Sequence, residues 1–407
     1  MKRLFNIGSG LFIFSIVPIL SWIVLSYVLG DSRIANVFSI TYAIQFIWTI
    51  FKVIFASGAN IRKEREGDKD AVWNSIFWGS IFAIIIFSIP IIFVDKYIAF
   101  FGQDVDFYRD YVIYSIALLF EQVLLSFIIE KLYFEDKEKL ANTHLIAFNL
   151  TTFVSLILFS AIIPNTKIAL AITLGILLIY LIGLFVWQFE KFKISFTFFK
   201  NIKYVSGDMV TAVFFMIVYL FGYKNAFQAG AEYIDALNLV ALCTDAQWDT
   251  LGAFDTVARV DIAKHRYEYK KEMKNAYLFT IIVMLTSIIM TLALTWINGY
   301  IITIVLAYLA FQIVGMMLDT YSSILSIYTQ IEYSPKTNTI IQFSTLIVRT
   351  LISTFLLSPF CTDIGQIVQS VILIIIYLII RVTRYKVVDG RLTIKNNKDK
   401  NLKQEGP

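Results

Sequence analysis

The sequence predicts an all-α membrane protein: twelve transmembrane helices in two six-helix lobes, related by a pseudo-two-fold axis along the membrane normal. Three observations predict it. The chain holds twelve apolar runs long enough to span a bilayer, its Lys and Arg favour alternate loops, and its loop pattern recurs after roughly 200 residues.

The apolar runs dominate the composition. Of 407 residues 58% are hydrophobic and only 16% charged, Phe alone occurs 36 times, and the mean hydropathy is +0.72. Ordinary soluble domains carry about 25% charged residues, and a soluble core would leave much of this apolar surface exposed. Lipid is therefore the expected solvent. A span needs about 20 apolar residues, which marks 7–29, 34–57, 72–95, 110–130, 140–163 and 167–190. A second set follows at 204–223, 232–258, 275–297, 302–330, 337–360 and 362–383. Spans nine and ten are separated only by the polar break Trp296–Tyr300. The first run follows Met1-Lys2-Arg3 but is too long for a signal peptide and lacks a small-x-small cleavage site, so an uncleaved first span is expected.

The loop charges test that count. Twelve spans place both termini on one side, and 28 of the 35 Lys and Arg residues fall in the termini and loops of that side. Only Arg33, Lys96, Arg109, Lys167 and Lys224 fall on the other, while Lys52 and Arg349 lie inside spans. Positive charge marks the cytoplasmic face, so a multi-pass cell-membrane protein with both termini cytoplasmic is expected. The net charge of +5 thus reflects topology, and no nucleic-acid partner is expected.

The repeat is visible in the same loops. A long charged loop follows the second span of each half, at 58–71 and 259–274, and a shorter one follows the fourth, at 131–139 and 331–336. The shorter loops lead into Lys139–Thr143 and Pro335–Thr339 at matching places. Residues 1–190 thus form an N-lobe and 204–386 a C-lobe. The Lys- and Phe-rich linker 191–203 is expected as an interfacial helix, and the basic tail 387–407 as disordered.

This organisation resembles the MATE (multidrug and toxic compound extrusion) family, within the superfamily that includes lipid-oligosaccharide flippases. Ser57–Lys69 resembles that family's small-residue end of span 2 entering a charged loop, and Phe101–Tyr111 its outer amphipathic stretch before span 4. The resemblance implies two lobes around a V-shaped cavity that opens to either side in turn. It also implies export coupled to inward Na⁺ or H⁺ flow through membrane carboxylates, with no other cofactor. The chain departs from the family in two places: span 1 has no acid near Leu25, and span 7 has none near Phe215–Met216. Asp319 stands where certain members have a cation-binding Asp.

A charge at the bilayer centre costs about 2.5–3.5 kcal/mol, so each buried ionisable residue needs a reason. Asp245 and Asp249 in span 8 are four residues apart and share a helix face with Asn238, Gly252 and Thr256. Two such carboxylates can share a proton and release it when a cation arrives, or they can be structural partners of Arg349 or Lys224. Asp319 shares a polar face of span 10 with Gln312 and Gly315. These three acids are the coupling candidates. Asn238, Trp248, Thr256, Gln312, Glu121 and Gln45 are candidates to line a cavity, with Trp248 able to hold a cation against its ring. Arg349 is expected as a structural counter-charge to one of the acids. Asp208, Asp255 and Lys52 lie nearer the inner face, where they can reach headgroups or water, and Trp48 and Trp187 are further cavity or belt aromatics.

Enzyme chemistry finds no foothold. There is no GxxxxGK[ST], HExxH or GxSxG; the two histidines, His144 and His265, lie near loops, and Cys243 and Cys361 form no metal-ligand spacing. The reading is therefore a monomeric secondary exporter of an organic, cationic or amphiphilic small molecule, and no metal is expected. Its rivals are a flippase for a lipid-linked or polyprenyl substrate, which would line its cavity with Arg and Lys, and a non-transporting membrane scaffold, which would have no cavity.

Overall fold

The computed structural model describes residues 2–298, 301–388 and 391–395. All twelve expected spans are helical. The first lobe comprises α1 (Lys2–Leu29), α2 (Ser32–Glu66), α3 (Ala71–Ile92), α4 (Val105–Phe134), α5 (Glu138–Ile162) and α6 (Thr166–Gln188). The second comprises α7 (Ile202–Ala229), α8 (Ala231–Ala263), α9 (Tyr269–Asn298), α10 (Ile302–Tyr328), α11 (Pro335–Phe355) and α12 (Cys361–Arg384). In the bilayer only a helix satisfies its own backbone polar groups within one segment, so apolar runs of this length fold this way.

Among the described residues, ten helices are long and apolar enough to cross a membrane. The other two spans are α8 and α11, of 33 and 21 residues. Their interiors are polar: α8 carries Asp245, Asp249 and Asp255, and α11 carries Asn338, Gln342 and Arg349. Both are packed against neighbouring helices, so their polar faces turn away from lipid.

The lobes meet along two symmetry-related seams, α1 against α8 and α2 against α7. The second is irregular. α2 contains 3₁₀ turns at Ser32–Asn36 and Tyr42–Ile44 and a π turn at Lys52–Ser57, and π turns cluster at functional sites. Close approach is built into the same seam: a Cβ on Gly58 would lie 3.0 Å from Asn201 Cβ and 3.1 Å from Val205. The internal repeat extends to the turns. α2 and α8 both end in a left-handed residue, Gly67 at φ 69° and His265 at φ 56°.

Two expectations need correcting. The linker is not an interfacial helix: only a 3₁₀ turn, Phe198–Asn201, precedes α7. Its extended part is held on α3, because Asn74 Nδ2 donates to the Lys193 carbonyl at 2.8 Å and Trp78 Nε1 to the Ser195 carbonyl at 3.0 Å. Satisfying that backbone from α3 removes the need for a helix. The basic tail begins with an antiparallel hairpin, β1 (Tyr385–Val388) paired with β2 (Arg391–Ile394), anchored by buried Tyr385 and Leu392. The remainder of the expected disordered segment, and the break at 299–300, lie outside the described residues.

Candidate functional site

A cavity of about 380 Å³ lies between the lobes. Its first-lobe wall is formed by Phe14, Ser15, Pro18 and Trp22 of α1, residues of α2 including Tyr42, Gln45, Phe46 and Trp48, and Gln122 of α4. The opposite wall is charged: Asp208 of α7, Asp245, Asp249, Asp255 and Arg259 of α8, Asp319 of α10 and Arg349 of α11.

The walls close on each other at both ends. Toward the basic end Arg3 binds Asp261 at 2.8 Å and Glu138 at 2.7 Å, while Arg65 pairs with Glu332. Asp136 there receives Lys264 at 2.9 Å and Arg266 at 2.5 Å. Arg3, Arg65 and Arg266 pull the lobes together because each pairs with an acid of the other lobe. At the opposite end Phe46 stacks on Tyr219 at 5.2 Å, Tyr42 packs on Tyr223 at 5.0 Å, and Asn238 Nδ2 donates to Asn36 Oδ1 at 3.2 Å.

Within the cavity the carboxylates differ in how they are compensated. Asp208 is neutralised by Arg259 at 2.6 Å and accepts from Gln330 Nε2 at 2.8 Å. Asp255 accepts from Ser323 Oγ at 2.6 Å, and Asp319 from Ser322 Oγ at 3.3 Å. Asp249 faces Ser15 of α1, and Asp245 faces the Tyr42 hydroxyl of α2. Asp245 Oδ2 is buried without a hydrogen-bond partner among the described residues. Among those residues none of Asp245, Asp249, Asp255 and Asp319 has a basic side chain within 4.0 Å. Carboxylate and hydroxyl oxygens from both lobes thus face this space, although among the described residues no three acids, histidines or cysteines cluster closely enough to hold a metal ion.

The expected coupling acids Asp245, Asp249 and Asp319 therefore all line one cavity, together with Trp248, Gln45 and Trp48. Asp208 and Asp255 line it too. Other expected positions lie outside this cavity: Asn238 lines a separate space between α1, α2, α8 and α9, and Gln312 a small one beside Asp245. Asn238 is taken up by the contact with Asn36 and by the Ser39 hydroxyl, which donates to its Oδ1. Thr256 Oγ1 caps back onto the Gly252 carbonyl at 3.0 Å. Both lie on the Asp245 face, but toward the basic end the lining passes to Asp255 and Arg259 on a neighbouring strip of α8, which leaves Thr256 packed on protein, and Asn238 at the other end borders a separate space. Gln312 stands behind the wall, accepting from Trp248 Nε1 at 2.6 Å and donating to Asp363 Oδ1 at 2.6 Å. Glu121 is buried inside the first lobe with Oε2 unpartnered among the described residues, and its neighbour Gln122 faces the cavity in its place. Trp187 is 58% exposed on the outer surface.

Arg349, the expected counter-charge, makes no direct ion pair among the described residues. It is buried, but no carboxylate lies within 4.0 Å among the described residues; its Nη1 donates to Gln369 Oε1 at 3.2 Å, and its guanidinium lies 4.3 Å over the Phe215 ring. Asp319 and Asp363 feel its charge, but from beyond ion-pair distance. Lys52 does find a partner, Glu130 at 3.2 Å. Glu130, Arg259 and Asp363 escaped the sequence reading because they sit at helix ends, where hydropathy places loops.

No family model matches the chain, and no curated protein does. Its architecture is nevertheless shared with solved transporters. A MOP superfamily transporter from Pyrococcus furiosus, reported with a binding pocket of reverse polarity that suggests a different function, aligns with TM-score 0.72 at 14% identity, over 93% of this chain and 95% of that one. A MATE solved in complex with MaD5 aligns with TM-score 0.70 at 15% identity, over 94% and 95%. The Vibrio cholerae MATE transporter VcmN, as a point mutant, aligns with TM-score 0.63 at 12% identity, over 94% and 97%. The fold is the twelve-helix, two-lobe architecture of a membrane transporter. More particularly, it is the fold of the MATE transporters of the MOP superfamily.

Proposed function

We propose that the chain is a secondary active exporter, a Na⁺- or H⁺-coupled antiporter that moves an organic cationic or amphiphilic compound by alternating access. One observation carries the reading: three acids without a basic partner within ion-pair distance among the described residues, Asp245, Asp249 and Asp319, converge on one inter-lobe cavity. Uncompensated carboxylates in a bilayer are costly, and an arriving proton, Na⁺ or cationic cargo offsets that cost. Because Asp245 and Asp249 face hydroxyls of the other lobe, their loading alters what holds the two walls together. The ion pairs at the basic end and the aromatic contacts at the other serve as the two gates, opened in turn. Trp248, held by Gln312, and Trp48 supply ring faces for a flat cation.

The test uses proteoliposomes and the fluorescent cation ethidium under separate Na⁺ and H⁺ gradients. One gradient should drive ethidium movement, and Asp245→Asn or Asp319→Asn should abolish it while the protein still inserts and folds. Undiminished gradient-driven movement in both variants would remove the site assignment.

A further inference from the structure

We propose that Arg349 is an oxyanion-binding residue of the central cavity, so that the cargo carries a carboxylate or phosphate in addition to its cationic part. This rests on the reading that the cavity admits cargo and adds its chemical class.

Arg349 projects from α11 into the cavity, is 2% exposed, and stands about 21 Å into its helix at 1.5 Å per residue. Its aromatic contacts, 4.3 Å to the Phe215 ring and 5.7 Å to the Tyr219 ring, hold the guanidinium by its face. Ring faces position a cation but do not neutralise it, and Asp319 and Asp363, which feel its charge, stand beyond ion-pair distance. Nη1 is engaged by Gln369, whereas Nε and Nη2 are buried and have no hydrogen-bond partner among the described residues. Those two nitrogens form the edge of the guanidinium whose N–H bonds run parallel. That edge matches two oxygens of a carboxylate or phosphate. Arg259 gives the contrast within the same cavity, since its charge is answered by Asp208 at 2.6 Å. A buried guanidinium left with its fork open, on the wall opposite Trp48 and Gln45 and beside a row of acids, is built for an incoming oxyanion. The acids take the cationic end of the same molecule. A cavity of about 380 Å³ suits one small amphoteric compound.

The experiment measures binding to the purified full-length protein by quenching of its tryptophans, of which Trp22, Trp48 and Trp248 line the cavity. The probes are 4-nitrophenyl phosphorylcholine, a zwitterion, and 4-nitrobenzyl trimethylammonium, a cation. The wild type should bind the zwitterion more tightly. Arg349→Met should weaken the zwitterion at least ten-fold and leave the cation unchanged or tighter, with Arg349→Lys between. Zwitterion affinity that is unchanged in Arg349→Met overturns the proposal. So does a wild type that binds the zwitterion no more tightly than the cation, a comparison needing no variant. Competition by added phosphatidylcholine assigns the oxyanion to a lipid headgroup, and its absence to a soluble cargo. Arg349-dependent binding without ion-driven ethidium movement would leave this subsite standing and remove the antiporter reading.

Discussion

Two kinds of carboxylate share the cavity, and they respond to removal in opposite ways. Asp208 answers Arg259 at 2.6 Å, so Asp208→Asn leaves a guanidinium with its ion pair gone. Breaking a buried pair costs about 3–5 kcal/mol; because both side chains retain some solvent contact, the lower end applies. Thermal unfolding in detergent should show a clear loss for Asp208→Asn. Asp249 has no basic partner within ion-pair distance among the described residues, so Asp249→Asn should keep or raise thermal stability while abolishing ion-driven efflux. An Asp249→Asn protein as destabilised as Asp208→Asn would show that Asp249 is structural. At this scale the sequence was legible in part. Helical spacing correctly grouped Asp245 with Asp249, but it also extended their face to Asn238 and Thr256. Asn238, some 10 Å along α8 at 1.5 Å per residue, borders a separate space, and Thr256 packs on protein because the cavity lining near it passes to Asp255 and Arg259.

At the scale of elements, hydropathy located every span, because a 30 Å hydrocarbon core imposes its length on each helix. It could not see where helices continue past that core. α2 runs on to Glu66 and α8 to Ala263, so residues counted as loop, such as Arg65, belong to rigid helical extensions. The linker was misread for a related reason. Alternating Lys and Phe suits an interfacial helix, but Asn74 and Trp78 of α3 supply hydrogen bonds that hold it extended. The α2–α7 seam is where an element-level change should be felt most. Gly58 admits α7 at contact distance, with Asn201 Cβ 3.0 Å from its would-be Cβ. Gly58→Val should wedge the lobes apart at the basic end, raising the labelling rate of a cysteine introduced at Val205 several-fold. An unchanged rate would mean that the seam has room to spare.

For the whole molecule, the arrangement of charge decides which contacts can open. The basic end is latched across the lobes by Arg3, Arg65, Lys264 and Arg266 with Asp136, Asp261 and Glu332. Hydrogen bonds from Arg266 and Lys264 hold the Asp136 carboxyl down at about 2 in the turn between α4 and α5. Its folded-state value lies below the unfolded one, so its contribution is complete above about pH 4 and is lost as pH falls through 2. Across the neutral range the Asp136 contacts are thus insensitive to pH, and only ionic strength or a competing contact loosens them. Spin labels placed on α5 and α9, either side of the Asp136 contacts, should report a constant distance distribution from pH 5 to 8 in the absence of cargo, with broadening in high salt as exposed ion pairs are screened. A pH-driven opening in that window without cargo would place the switch in the latch and not in the cavity acids.

The central claim is that the cavity acids exchange a cation for cargo, and the counter-movement of ions tests it most directly. Proteoliposomes carrying the wild type, with an outward ethidium gradient and no ion gradient, should show Na⁺ or H⁺ moving against the ethidium flow, read with a Na⁺- or pH-sensitive dye. The Asp245→Asn/Asp249→Asn double variant should show none. Ethidium flow with no ion counter-movement in the wild type, or an equal counter-movement in the double variant, would contradict the account.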